Sequence, residues 1–179
     1  MKSIMLSTQP KWCELIVSGK KTIEVRKTAP SETPFKCYIY ETKGLCDTPT
    51  FIDEDGHISY RGRGQVMGEF VCDKVERFTV GSMRCDDIER MACLSYSEML
   101  DYFYKSNELD GKTVKFGYAW YISDLKIYDT PKELGEFYKY GFENDYDAYM
   151  AGGRGAFNTK SYKVTRAPQS YCYVEELSE

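Results

Sequence analysis

Long apolar runs are missing from this chain. No stretch approaches the roughly 20 apolar residues that a bilayer-spanning helix needs, and the opening MKSIMLSTQPKW lacks the extended apolar core of a signal peptide. Histidine is nearly missing too. His57 is the single one, and it falls in a turn-rich stretch with no serine or cysteine nucleophile beside it, so it reads as an exposed residue. The seven cysteines (13, 37, 46, 72, 85, 93 and 172) are odd in number and form no Cys-x-x-Cys pair. That argues against both a zinc site and a secreted disulfide framework. Several occupy apolar positions and read as small core residues. The expectation is a cytoplasmic protein with no membrane partner, no metal and no cofactor.

Excess positive charge is lacking as well. The net charge is −4, which argues against a protein that coats nucleic acid by bulk attraction and confines any polyanion site to a local patch. No glycine-rich dinucleotide fingerprint follows a strand. Gly111-Lys112-Thr113 resembles the end of a phosphate-binding loop, but the motif needs a glycine five positions earlier, where Ser106 stands. Asp53-Glu54-Asp55 reads as an acidic hairpin turn rather than a cation site.

What is present suits one soluble domain over residues 1–179, with 42% hydrophobic and 29% charged residues. KSIMLS (2–7) reads as a first strand. Pro10 opens a helix with Trp12, Leu15 and Ile16 on its apolar stripe and Gly19 as its stop; Trp12 is thereby assigned to the core. Strands follow at Thr22–Arg26 and at 36–41. A hairpin inserted within 43–63 ends in the basic Arg61-Gly62-Arg63-Gly64. Residues 64–78 read as one long strand bent or bulged at Gly68. Helical segments fall at about 86–91 and 95–105, then a strand at 117–128 broken near Ser123-Asp124. Pro131 begins a single helical turn, and a loose aromatic segment runs through Gly152-Gly153-Arg154-Gly155 to a last strand at 170–177. Short strands outnumber helices without regular βαβ alternation, which predicts an α+β fold, a small mixed β-barrel flanked by helices.

The densest local charge is SGKKTIEVRK (18–27), which carries Lys20, Lys21, Arg26, Lys27 and one carboxylate, Glu24. Strand alternation points Ile23 and Val25 into the core and Glu24 and Arg26 together to the other face, where the carboxylate can orient the guanidinium for a phosphate or a base edge. Alternation alone would put Lys21 on the core side. It joins Glu24 and Arg26 only if the backbone is irregular just after Gly19.

Gly19-Lys20-Lys21-Thr22-Ile23-Glu24-Val25-Arg26 resembles the Gly-x-Lys-x-x-Glu-x-Arg signature of the ASCH family, a branch of the PUA-like β-barrels. The strand ending in Ser7 with its proline-started helix, the 64–78 stretch, and GYAWYISDLKIY followed by Asp129 and Pro131 are similar to that family as well. The resemblance leaves out the insertion at 43–63 and a variable segment at 136–168. It implies a PUA-like barrel with a cleft lined by Lys21, Glu24 and Arg26, binding RNA, a nucleotide or a nucleoside. One enzyme branch hydrolyses the acetyl amide of N4-acetylated cytidine with a lysine and a threonine on this strand; Lys21 matches the lysine, and Glu24 stands at the threonine position. Other members act as ribonucleases. Two readings follow. One is a binding cleft gripping the ligand through Arg26 and Lys21, with stacking from Trp120 or Tyr171 and a phosphate track from Arg61, Arg63 and Arg154. The other is a hydrolase with Lys21 as catalytic residue and Ser7 or Ser123 as supporting hydroxyls. A third, a protein-interaction adaptor, would need a broad exposed apolar patch away from the cleft.

Overall fold

A computed structural model describes the chain apart from residues 47, 48, 50, 53–55, 83, 84, 105–113, 144–157, 178 and 179. β1 (Lys2–Thr8) runs straight into α1 (Pro10–Val17). Pro10 suits the first helical turn, where its missing N–H is not needed. Gly19 ends the helix in the left-handed region, at φ +71, with its N–H donating to the Ile16 carbonyl. The backbone then turns before β2 (Ile23–Arg26) begins, and β3 (Phe35–Glu41) follows.

The hairpin of β4 (Phe51–Ile52) and β5 (Ile58–Ser59) sits where the sequence places it; the acidic triplet at its turn lies outside the described residues, and His57 is exposed. The stretch expected as one strand at 64–78 is two, β6 (Val66–Cys72) and β7 (Val75–Thr79). The 117–128 stretch likewise divides into β8 (Phe116–Tyr121) and β9 (Ser123–Lys132). Asp124 takes a positive φ of 46 at that corner. Between them lie α2 (Cys85–Ala92) and α3 (Tyr96–Phe103). Pro131 belongs to β9, and the helical turn comes later, as a 3-10 turn at Leu134–Glu136. The segment read as loose is in part a hairpin, β10 (Tyr138–Glu143) with β11 (Asn158–Lys163), and β12 (Tyr171–Val174) closes the chain.

The strands build two main sheets. One has the order β12-β1-β3-β6-β9 and the other β2-β8-β7. Among the described residues only β1 and β3 pair in parallel within them; the remaining neighbours are antiparallel. The expectation of a barrel is corrected in this respect: the sheets are open, and no ladder among the described residues closes them into a ring. The two long stretches cross from one sheet to the other at Asp73-Lys74 and at Ile122, which is why each reads as one strand but serves as two.

Both faces of the central strands β1, β3 and β6 are buried, so these strands lose simple polar alternation. Ile4, Leu6, Phe35, Cys37 and Ile39 pack with α1 and Trp120 on one side. Met5, Tyr38 and Tyr40 pack with Phe137 and Val164 on the other. A separate core holds Ile23, Val25 and Ala119 against α2 and α3. Among the described residues no helix is long and apolar enough to cross a membrane.

Candidate functional site

The site begins with the turn after Gly19. Because Lys21 precedes β2, alternation does not bind it, and its backbone N–H donates to the Leu15 carbonyl. Its ammonium reaches the C-terminal end of α2, donating to the Ala92 carbonyl at 2.8 Å, a place where a helix favours positive charge. It also lies 3.4 Å from Glu24 Oε2 and 5.3 Å from the centre of the Trp12 ring. Glu24 in turn holds Arg26, Oε1 to Nε at 2.8 Å. Arg26 Nη2 donates to the carbonyl oxygen of Ser7 at 2.7 Å. The three charges are thus a buried row, with Lys21, Glu24 and Arg26 only 3%, 5% and 9% exposed. β2 is buried on both faces, including the one that Glu24 and Arg26 share.

This row forms one wall of a cavity of about 560 Å³. The end of β1 and the residue after it (Ser7, Thr8, Gln9) and Trp12 of α1 continue that wall, while Leu94, Glu98, Asp101 and Tyr102 from α3 and its approach face it. Residues 167–169 complete the rim, tethered by the Ser7 hydroxyl, which donates to the Pro168 carbonyl at 2.6 Å. Lys11 and Glu98 join α1 to α3 across the mouth at 2.6 Å. The Lys11 hydrogen bond, with help from the Ser95 N–H of the helix cap, pulls the Glu98 carboxyl down to about 2. Burial raises the Tyr102 hydroxyl above its ordinary value, offset in part by the Arg26 charge, the Lys27 N–H and an Arg26 hydrogen bond.

Of the residues singled out in the sequence, Lys21, Glu24, Arg26 and Ser7 meet at this cavity. Trp120 and Ser123 do not. Trp120 is fully buried, packed edge-on against Phe35 and Tyr171, so its ring has no face to offer a ligand. It pairs directly with Glu24 across the β2–β8 ladder, but the five-stranded sheet covers that face. The Ser123 hydroxyl is engaged by the Val71 carbonyl at 2.8 Å, a bond that fixes the β9 corner. Tyr171 is half-buried in the same core as Trp120. Arg61 and Arg63 follow the β4–β5 hairpin and do not line this cavity; Arg61 bridges Leu45 and the Arg63 N–H donates to Glu41, while Arg154 lies outside the described residues.

The converse error concerns Trp12, assigned to the core from its helical spacing but half-buried on the cavity wall. Asp101 and Tyr102 were not singled out at all. Their signal was a local one, Glu98, Asp101 and Tyr102 at i, i+3 and i+4 on one face of a helix; nothing nearby in sequence says that this face looks at β2. Among the described residues no cluster of His, Cys, Asp and Glu is arranged to hold a metal ion.

A family model described as the ASCH domain matches residues 6–135. The chain is similar in structure to the crystal structure of ASCH from Zymomonas mobilis, at 19% identity and a TM-score of 0.59, over 98% of this chain and 89% of that one. A tyrosine-to-phenylalanine mutant of the Zymomonas mobilis protein aligns at 18% identity and a TM-score of 0.58, over 98% and 92% of the two chains. A serine-to-alanine mutant aligns at 18% and 0.57, over 98% and 89%. No curated protein matches.

Proposed function

This chain belongs to the ASCH domain family, and we propose that its cavity binds a nucleobase, carried by a nucleoside, a nucleotide or a short single strand of RNA. The observation that carries this reading is the convergence of Trp12 and Tyr102 with the Lys21-Glu24-Arg26 row on one cavity of about 560 Å³. That volume lies within the range of small-ligand pockets, and two accessible aromatic rings offer a base the stacking that single-stranded recognition uses. Arg26 and Lys21 give the wall its positive character, and Glu24 fixes both.

The assay follows from the tryptophan count. The chain has two tryptophans; Trp12 lines the cavity, and Trp120 is fully buried. Saturable quenching by ribonucleosides or a short single-stranded RNA is expected, and it is expected to vanish in Trp12→Phe. Tyr102→Ala, at a residue 38% exposed, should weaken binding by about 1–3 kcal/mol, the worth of one stacked base, with an unchanged circular dichroism spectrum. No quenching by any of these ligands, or quenching that survives Trp12→Phe, would remove the proposal.

A second reading, a hydrolase acting on a modified nucleoside or on single-stranded RNA, is favoured by the burial of the Lys21 ammonium beside a carboxylate on the wall of a base-sized cavity. The ammonium already donates to Ala92 and faces Glu24, so its role there is electrostatic rather than nucleophilic. Turnover of N4-acetylcytidine or of single-stranded RNA that is lost in Lys21→Met would support it. Turnover that persists in that variant would count against Lys21.

A further inference from the structure

The face that Glu24 and Arg26 share continues across the three-stranded sheet and opens as it goes. Strand register sets Glu24 in one row with Trp120 and Val75, and Arg26 in the next with Tyr118 and Arg77. The five-stranded sheet covers the first row, where Trp120 is fully buried. It covers the second only in part, with Tyr118 half-buried and Arg77 exposed. Phe116, two residues back along β8, is 43% exposed. The Arg77 guanidinium lies over that ring, 3.9 Å from its centre. A guanidinium laid on a ring is held in one orientation, and its second planar side can stack a base while its charge meets a phosphate. The nearest carboxylate on β7, Glu76, alternates to the opposite face, where it accepts from the Tyr121 hydroxyl and pairs with Lys74.

Resting on the nucleobase-binding reading above, we propose that the Arg77–Phe116 pair is a second base subsite, which stacks a neighbouring nucleotide of a single-stranded RNA whose first base fills the cavity. Two observations select that occupant. The face is continuous with the cavity, because Arg26 lines the cavity and shares a row with Tyr118 and Arg77. From β2 to β7 is two strand spacings, about 10 Å. The side chains met along the way also alternate cation and ring: Arg26, Tyr118, Arg77, Phe116. That order complements a polyanion with a planar base on every unit, and the buried row, two cations against one carboxylate, adds positive character at the cavity end. An acidic peptide would match the charges without the repeated rings; an RNA strand matches both.

The test is calorimetric titration of the full chain with the four ribonucleosides and the four homotrinucleotides, reading for each base the gain in affinity of trinucleotide over nucleoside. In the wild type that gain should be about tenfold or more for any base that binds, the worth of one further stacked base. Phe116→Ala and Arg77→Ala should each reduce it to within about threefold and leave the nucleoside affinity unchanged. Arg77→Lys, which keeps the charge and loses the plane, should fall between wild type and Arg77→Ala. Arg77→Ala should also lower the salt slope of trinucleotide binding by about 0.7, one phosphate contact on a single strand. A wild-type gain near one overturns the proposal while leaving the nucleobase reading standing. So does a gain that survives both alanine variants while either of them changes the sedimentation coefficient, since a second copy of the chain would then cover this face; a gain that survives both without such a change overturns it equally. Failure of every nucleoside and every trinucleotide to bind would overturn the underlying reading and this proposal with it.

Discussion

Replacing Glu24 by glutamine keeps the volume of the side chain and removes one charge from the middle of the buried row. The consequence can be worked from the geometry. Glu24 lies 2.8 Å from Arg26 Nε and 3.4 Å from Lys21 Nζ, and an opposite charge at about 4 Å is worth about 4 kcal/mol in a medium of effective dielectric 20. Desolvation of the carboxylate offsets much of this in the wild type, so the pairs contribute far less than the Coulomb sum. The variant keeps two buried cations with no anion between them, the situation in which breaking a buried pair costs about 3–5 kcal/mol. For a chain of this size that corresponds to a fall in melting temperature of about 6–20 °C. Urea unfolding followed by circular dichroism gives the quantity directly, provided the slope with denaturant is unchanged. In a Lys21→Met background, where one of the stranded cations is gone, Glu24→Gln should cost at least about 1 kcal/mol less, because contacting charges are not additive. A loss under about 1 kcal/mol in the wild-type background, the figure for a surface pair, would refute the claim that the row is buried and mutually dependent.

The Lys11–Glu98 clasp predicts an acid-sensitive increment. The folded-state value of Glu98 is pulled below its ordinary value of 4.5 to about 2, so its contribution is fully present above about pH 4.5 and is lost as pH falls from there toward 2. Since Glu98 is 39% exposed, the increment should be below about 1 kcal/mol; the stability difference between wild type and Glu98→Gln should fade across that window, and a difference independent of pH would contradict it. Gly68 makes the close approach of β6 to β9 possible, because a Cβ there would press on the Lys126 carbonyl oxygen and the Ile127 backbone, at a place where the ladder slips register. Gly68→Ala should destabilise by about 1–3 kcal/mol, and an unchanged urea midpoint would show that the bulge accommodates the methyl group.

How much of this was legible in the sequence depends on how far apart the cooperating residues lie. The wall from Ser7 to Arg26 was legible, because every part of it is local: a proline start, a glycine stop, then a strand with two polar residues on one face. Even the ambiguity of Lys21 was visible, and it is resolved by the left-handed Gly19 and the turn that follows, which detach Lys21 from strand alternation. The β10–β11 hairpin carries a local signal of its own, since Tyr138, Tyr140 and Phe142 alternate with period two in YKYGFE. The failures at Trp12 and Trp120 have a different origin. Helical and strand periodicity report which face a residue is on, never what covers that face. Trp120 shares a face with Glu24, yet the other sheet closes over it at Phe35. Trp12 shares a stripe with Ile16, yet that stripe passes the edge of the sheet and emerges in the cavity. The facing wall, Asp101 and Tyr102, comes from a helix some 75 residues further along, and the rim comes from residues 167–169. The family signature therefore marks the positioning half of the site, whose charges are spent on one another and on carbonyls. On the nucleobase-binding reading, the rings that stack on the ligand, Trp12 and Tyr102, are residues that the signature does not contain, and ligand preference in this chain should follow them more than β2.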